Sequence, residues 1–208
     1  EKYTINKKTL NIQDMQIPKP YKFWLEKEIY DQHTFSKNIK DVLHENAIKL
    51  LQNYINELKL INNIILLGCG TSLHAAYLGE LYLKKLKLFY NVRAIDASNF
   101  NLRDIPFIGS LCVIVLSQSG ETKDIIRCID LLPKNVYKLG IINVENSTIS
   151  RICDLNLYIN VGREISVAST KSFFGQVIFL QILTNFYDNI FNNSILITYE
   201  NLSVDVGN

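Results

Sequence analysis

Two hydrophobic rhythms divide this chain. From Phe35 to Leu58, apolar residues recur every three or four positions, at Ile39, Val42, Leu43, Ala47, Leu50, Leu51, Ile55 and Leu58. That spacing lines one face of a helix. A shorter helix is expected before it, from Phe23 to Asp31. From residue 61 the rhythm changes. Short apolar runs at Ile64–Leu67, Val92–Ala97, Leu111–Leu116, Tyr137–Asn143 and Leu155–Ile159 read as strands. They alternate with helical stretches at Ser72–Leu88, Glu121–Leu132, Thr148–Cys153 and Thr170–Phe191. Strands apolar on both faces belong to a parallel sheet covered on both sides. The expected fold is therefore α/β: a three-layer, doubly wound, flavodoxin-like sheet of about five parallel strands, preceded by N-terminal helices.

This reading divides the chain into four parts. Residues 1–20 are polar, close on Pro18-Lys19-Pro20, and read as an arm or linker. Residues 21–60 form a helical segment and 61–191 the sheet domain. Residues 192–208 are a tail, or the start of a connection to a further unit.

Composition narrows the class. The 208 residues are 48% hydrophobic and 20% charged, which suits one globular domain with an appendage. The net charge of +2, without a Lys/Arg cluster, gives no reason to expect nucleic acid. No apolar run approaches the ~18 residues that span a bilayer, so no membrane partner is expected. Cysteines 69, 112, 128 and 153 lack CxxC spacing, and histidines 33, 44 and 74 are scattered. Free thiols in a reducing cytoplasm are expected, with no metal and no cofactor.

The candidate chemistry lies where strands end. In open α/β sheets, ligands bind beyond the carboxyl ends of the strands. Three such ends are rich in hydroxyls and glycine: Gly68-Cys69-Gly70-Thr71-Ser72, Ser117-Gln118-Ser119-Gly120-Glu121-Thr122, and the longer loop Val161–Thr170. Each precedes a helix N-terminus, where unpaired N–H groups and the helix dipole favour an anion such as phosphate. A serine or threonine there can also be an ordinary cap. A cap needs one hydroxyl, however, and the second loop offers three. Gly68-Cys69-Gly70 begins like a dinucleotide fingerprint, with Asp96 placed to bind a ribose, but Leu73 stands where the third glycine should be. No P-loop motif occurs.

Four segments together resemble the SIS (sugar isomerase) domain family. They are Trp24-Leu25-Glu26-Lys27-Glu28-Ile29-Tyr30-Asp31-Gln32, Gly68–Ser72, Leu116–Thr122 and Glu164-Ile165-Ser166-Val167-Ala168-Ser169-Thr170-Lys171. The first and last resemble, more narrowly, the isomerase part of the glutamine–fructose-6-phosphate aminotransferases. That resemblance implies a phosphate site for fructose 6-phosphate made of Ser72, Ser117, Gln118, Ser119 and Thr122, with Thr71 nearby. It also implies sugar contacts from the Val167 backbone and Ser169. The implied reaction moves ammonia from glutamine to fructose 6-phosphate, giving glucosamine 6-phosphate for hexosamine biosynthesis. The implied partners are a glutaminase domain, a second SIS half and a second copy in a homodimer. In such enzymes the ring-opening histidine, the base glutamate and the Schiff-base lysine belong to the second half, so no catalytic residue is assigned here. A sugar-phosphate-sensing module and a stand-alone isomerase of another sugar phosphate are the alternatives. A helix-turn-helix segment would favour the sensor, and none is evident.

Other residues carry weaker expectations. Glu164 is expected to be a base, or else an ion-pair partner or loop brace with Lys171. Glu121 should point away from a bound phosphate. His74 is expected at the surface or in packing. Trp24 and Tyr30 are expected to join the N-terminal helices to the sheet.

Overall fold

A computed structural model describes Ile17 and residues 19–38 and 44–192. Most of the arm expected over 1–20, the tail expected over 192–208 beyond Asn192, and Ile39, Val42 and Leu43 lie outside the described residues. The described elements run α1 (Trp24–Asn38), α2 (His44–Asn53), α3 (Ile55–Lys59), β1 (Ile61–Gly68), α4 (Thr71–Lys85), β2 (Asn91–Asp96), β3 (Ser110–Ser117), α5 (Lys123–Leu131), β4 (Tyr137–Ile142), α6 (Thr148–Ile152), β5 (Leu155–Tyr158) and α7 (Lys171–Asn192).

The five strands form one parallel sheet in the order β2-β1-β3-β4-β5. The chain steps outward from β1 to β2, then returns past β1 to β3 and continues the other way. The connections after β1 and β3 therefore diverge, which makes the gap between their carboxyl ends the topological switch point.

Successive strand residues feed opposite faces. Ile64, Leu66, Cys112, Ile114 and Leu116 join one core with residues of α2, α4 and α7. Ile65, Leu67, Val113 and Val115 join a second core with Ile125, Cys128 and Ile129 of α5 and Ile149 of α6. This is the expected three-layer arrangement. Two-sided burial explains why β3 reads as an unbroken apolar run and not an alternating one.

The N-terminal helices differ from expectation in two ways. Gln32, His33 and Thr34 do not break the helix, and α1 runs through to Asn38. The following helical stretch splits at Tyr54, where the N–H donates to Leu51 O at 3.1 Å in a tightened turn. A short 3-10 turn at Leu102–Asp104 was also not anticipated; Asn101 and Asp104 cap it reciprocally.

Tyr30 corrects a packing expectation. It is 63% exposed and lies against Tyr21, not against the sheet. Phe35 makes that connection, buried and edge-on to Phe174 at 6.2 Å between ring centres. Trp24 is half-buried and His74 is exposed. The outer side of α1 carries a shallow groove of about 330 Å³ lined by Phe23, Leu25, Glu26, Ile29 and Tyr30. Cys112 and Cys128 are buried, Cys69 and Cys153 half-buried, and all four thiols are free. Burial pushes the Cys128 thiol up to about 11 and the Cys153 thiol up to about 12. Such thiols stay protonated and unreactive near neutral pH. Among the described residues, no helix is long and apolar enough to cross a membrane.

Candidate sugar-phosphate site

The two loops at the switch point are adjacent because β1 and β3 pair directly, with Leu67 opposite Val115. Gly68 ends β1 where α4 begins; a Cβ there would lie 2.7 Å from the backbone of Ser72 and Leu73. Only glycine lets the first turn of α4 sit this close to the strand end. Thr71 is exposed and Ser72 half-buried in that turn. The Ser72 hydroxyl accepts a 3.0 Å hydrogen bond from Gln176 Nε2 on α7. Its own proton is thereby left to point elsewhere. Gln176 is fully buried, and its Oε1 has no hydrogen-bond partner among the described residues.

The second loop is organised by its own hydroxyls. Ser117, 2% exposed, accepts from the Gly120 N–H at 3.0 Å and shares a 3.0 Å hydrogen bond with the Thr122 hydroxyl. The exposed Ser119 accepts from the Glu121 N–H at 3.1 Å, and Gln118 stands half-exposed beside it. Thr122 occupies the N-cap position of α5, yet its side chain makes no capping hydrogen bond. Gly70 occupies the N-cap of α4 and has no side chain to cap with. The helices flanking the switch point therefore both lack a side-chain cap.

The other two helix ends on this edge are closed by the protein itself. Ser147 caps α6 through the Ser150 N–H, and Glu121 adds a carboxylate that accepts from the Thr148 N–H at 2.7 Å. Those hydrogen bonds from Thr148 hold the exposed Glu121 carboxyl below the usual range. Glu121 thus faces away from the hydroxyls of its own loop. At α7, Glu164 Oε1 accepts from the N–H groups of Thr170 and Lys171 at 2.7 and 2.8 Å. Its Oε2 meets the hydroxyls of Ser169, at 3.3 Å, and Ser172. Glu164 is a brace, and the third loop is not an open anion site.

Lys171 does not pair with Glu164, contrary to one expectation. It is 6% exposed and reaches Asp31 at 3.3 Å and Arg163 O at 3.1 Å. Lys27 approaches the same carboxylate at 2.5 Å. Burial works against the Asp31 charge, but hydrogen bonds and attraction from Lys27 and Lys171 outweigh it, so the carboxyl titrates below its ordinary value. A depressed folded pKa adds stability above the unfolded value of about 3.9, lost as pH falls through the folded value. The stability gap between wild type and Asp31→Asn should therefore be widest near neutrality and shrink below about pH 4. Urea unfolding at pH 7 and pH 3 measures this, and a constant gap would contradict it.

The third loop follows β5, two strands away from β3. Val167 is fully exposed, and Ser169 is half-buried. Among the described residues, no direct hydrogen bond joins Val167 or Ser169 to the Ser117 loop. The connection runs through Asn143. Its N–H donates to Ser117 O at 3.3 Å, while its side chain accepts from Val161 N–H at 2.9 Å and donates to Gly162 O at 2.8 Å. Glu28, Asn143 and Gln176 were not singled out from sequence. Glu28 lies inside a quoted motif, but nothing local marks it as buried.

A parallel sheet with two uncapped, hydroxyl-lined helix ends at its switch point defines a class of α/β domain suited to hold an anion at its strand ends. The SIS domain profile matches residues 57–185, and the chain belongs to that family. Over 168 residues it is 42% identical to a protein of Acanthamoeba polyphaga mimivirus named as a probable glutamine–fructose-6-phosphate aminotransferase (isomerizing). That match covers 80% of this chain and 28% of the relative. The aminotransferase of the same name from Thermococcus kodakarensis is 35% identical over 165 residues, covering 78% of this chain and 27% of its own length. The chain thus spans a little over a quarter of the curated relatives it matches. Among solved structures, it is similar to the C-terminal domain of glucosamine-fructose-6-phosphate aminotransferase from Francisella tularensis. The TM-score is 0.72 and the identity 29%, covering 85% of this chain and 50% of that one. The fold is also that of tagatose-6-phosphate ketose/aldose isomerase from Escherichia coli, with TM-score 0.62 and 21% identity over 87% of this chain and 51% of the other.

Proposed function

We propose that this chain is the fructose 6-phosphate-binding SIS unit of a glutamine–fructose-6-phosphate aminotransferase (isomerizing), the cytoplasmic transferase that forms glucosamine 6-phosphate. One observation carries the reading. Of the four helix N-termini along the strand ends, two are closed by internal side chains, and the two left without a side-chain cap flank the switch point. A phosphate there would meet the hydroxyls of Thr71, Ser72, Ser117, Ser119 and Thr122 and the amide of Gln118, with the Glu121 carboxylate held away at α6. The Val167 backbone and Ser169 would meet the sugar hydroxyls.

In this role the chain holds the substrate by its phosphate while the ring opens, the amine adds at the ketone and proton transfer gives the aldose. Glu164 of the third loop and Glu28, which reaches that loop from α1, are both committed to holding backbone N–H groups. No catalytic residue is assigned to this chain. The glutaminase domain, the second SIS unit and a homodimeric partner complete the proposed enzyme.

Calorimetric titration tests the site. Fructose 6-phosphate and inorganic phosphate should bind, and free fructose should not. The Ser117→Ala/Thr122→Ala double variant should lose at least about tenfold in affinity for both phosphate-bearing ligands, since each hydrogen bond to a charged group contributes roughly 1.5–3 kcal/mol. Undiminished binding by a folded double variant would sink the assigned site. The isolated chain should form no glucosamine 6-phosphate; turnover would place catalytic groups within it.

A further inference from the structure

The segment 163–170 has almost nothing apolar to hold it in place. Ile165 and Ala168 are exposed, and Val167 is entirely so. Burial therefore does not fix this loop, and carboxylates do. Glu164 braces its C-terminal end, as described above. Glu28 reaches its middle from α1, across the chain.

Glu28 is 1% exposed. Its Oε1 accepts from the N–H groups of Ile165 and Ser166 at 2.6 and 3.2 Å. Its Oε2 meets the hydroxyl of Ser166, which also lies 2.9 Å from Ala168 O. A carboxylate removed from water needs a full set of donors, and here all three come from one turn of loop. Asp31 lies three residues further along α1, on the same helix face. Through Lys171 it also holds Arg163 O. One face of α1 thus grips the loop on both sides of Glu164.

This grip has a specific geometry. Two N–H groups converge on one oxygen just before Val167, and the Ser166 hydroxyl shares its one proton between Glu28 Oε2 and the Ala168 carbonyl just after that residue. The backbone of Val167 is set by a side chain that is itself sealed from solvent.

We infer that Glu28 is a positioning residue for the sugar end of the ligand. It presets the Val167 backbone beside Ser169, which Glu164 holds, so that a sugar phosphate binds more tightly than bare phosphate. This rests on the sugar-phosphate reading above. Glu28 acts through the loop and does not touch the ligand.

The test is a selectivity ratio measured by calorimetry on the 208-residue chain, with fructose 6-phosphate and inorganic phosphate as probes. Wild type should favour the sugar phosphate. Glu28→Gln should weaken fructose 6-phosphate binding about tenfold and phosphate binding less than about twofold, the loss expected for about one charged hydrogen bond. Ser166→Ala keeps both amide donors and should lower the ratio about threefold, consistent with losing one hydroxyl contact. Equal weakening of both ligands would mean a merely structural role and overturn the inference, as would an unchanged ratio. If Glu28→Gln fails to fold, Ser166→Ala decides alone by the same ratio. Wild type binding both probes equally would refute the role of Glu28 while leaving the phosphate site standing. Wild type binding neither would refute the parent reading.

Discussion

Replacing Gly120 with alanine should lower the stability of the chain by about 3 kcal/mol, the sum expected from overpacking and a left-handed backbone. Gly120 has φ of +67°, which disfavours any side chain. The added Cβ would also lie 2.0 Å from Ser147 Oγ and 2.4 Å from Ser147 Cβ. Ser147 cannot simply rotate away, because its Cβ is fixed by the N-cap geometry of α6. Gly120 O is tied to the same helix through the Ile149 N–H at 2.9 Å. Either the loop lifts off α6 or α6 shifts, and both outcomes disturb the hydroxyl set of Ser117 and Thr122. Gly162→Ala is the control: its φ of +73° is similar, but a Cβ there meets nothing within 4 Å. It should cost only about 1 kcal/mol. Urea unfolding compares the two. Equal effects would show that the close approach to Ser147 does not matter.

The second large effect is expected at Glu164. Glu164→Ala removes the carboxylate that receives two backbone N–H groups at the start of α7. It also takes the charged acceptor from the hydroxyl of Ser172, which is fully buried and keeps only the Ser169 hydroxyl at 3.0 Å. Loss of a cap and of charged hydrogen bonds should lower stability by about 2–3 kcal/mol. Amide exchange at Thr170 and Lys171 should accelerate. Glu164→Gln keeps an acceptor oxygen and should lose less. If Glu164 were instead a free base, Glu164→Ala would leave stability within about 0.5 kcal/mol of wild type, as surface substitutions do.

The sheet was legible because its physics is local. Strands buried on both faces produce unbroken runs such as Leu111–Leu116, and the intervening helices and glycine-bearing loops punctuate them. The hydroxyl content of Ser117–Thr122 likewise stood out without reference to anything distant. What stayed hidden depends on partners far along the chain. Glu28 meets Ile165 across 137 residues of sequence, and Gln176 meets Ser72 across 104. Nothing near Glu28 distinguishes it from Glu26, which lies half-buried two positions earlier. Tyr30 was misread for the same reason. An aromatic in an amphipathic helix looks like core, but rotation of α1 about its axis gave that place to Phe35. The Lys171 ammonium differs from expectation because Glu164, nearer in sequence, is taken up by backbone N–H groups, while Asp31 comes within reach of Nζ from α1.

The first turns of α7 have a mechanical consequence. The helix begins at Lys171, where the third loop is anchored, and at Gln176 it touches Ser72 beside the switch point. Five helical steps separate these anchors, about 7.5 Å of axis. A helix does not stretch, so this segment works as a ruler. It fixes the spacing between the start of the third loop and the first turn of α4, and a tilt of α7 would move both anchors together.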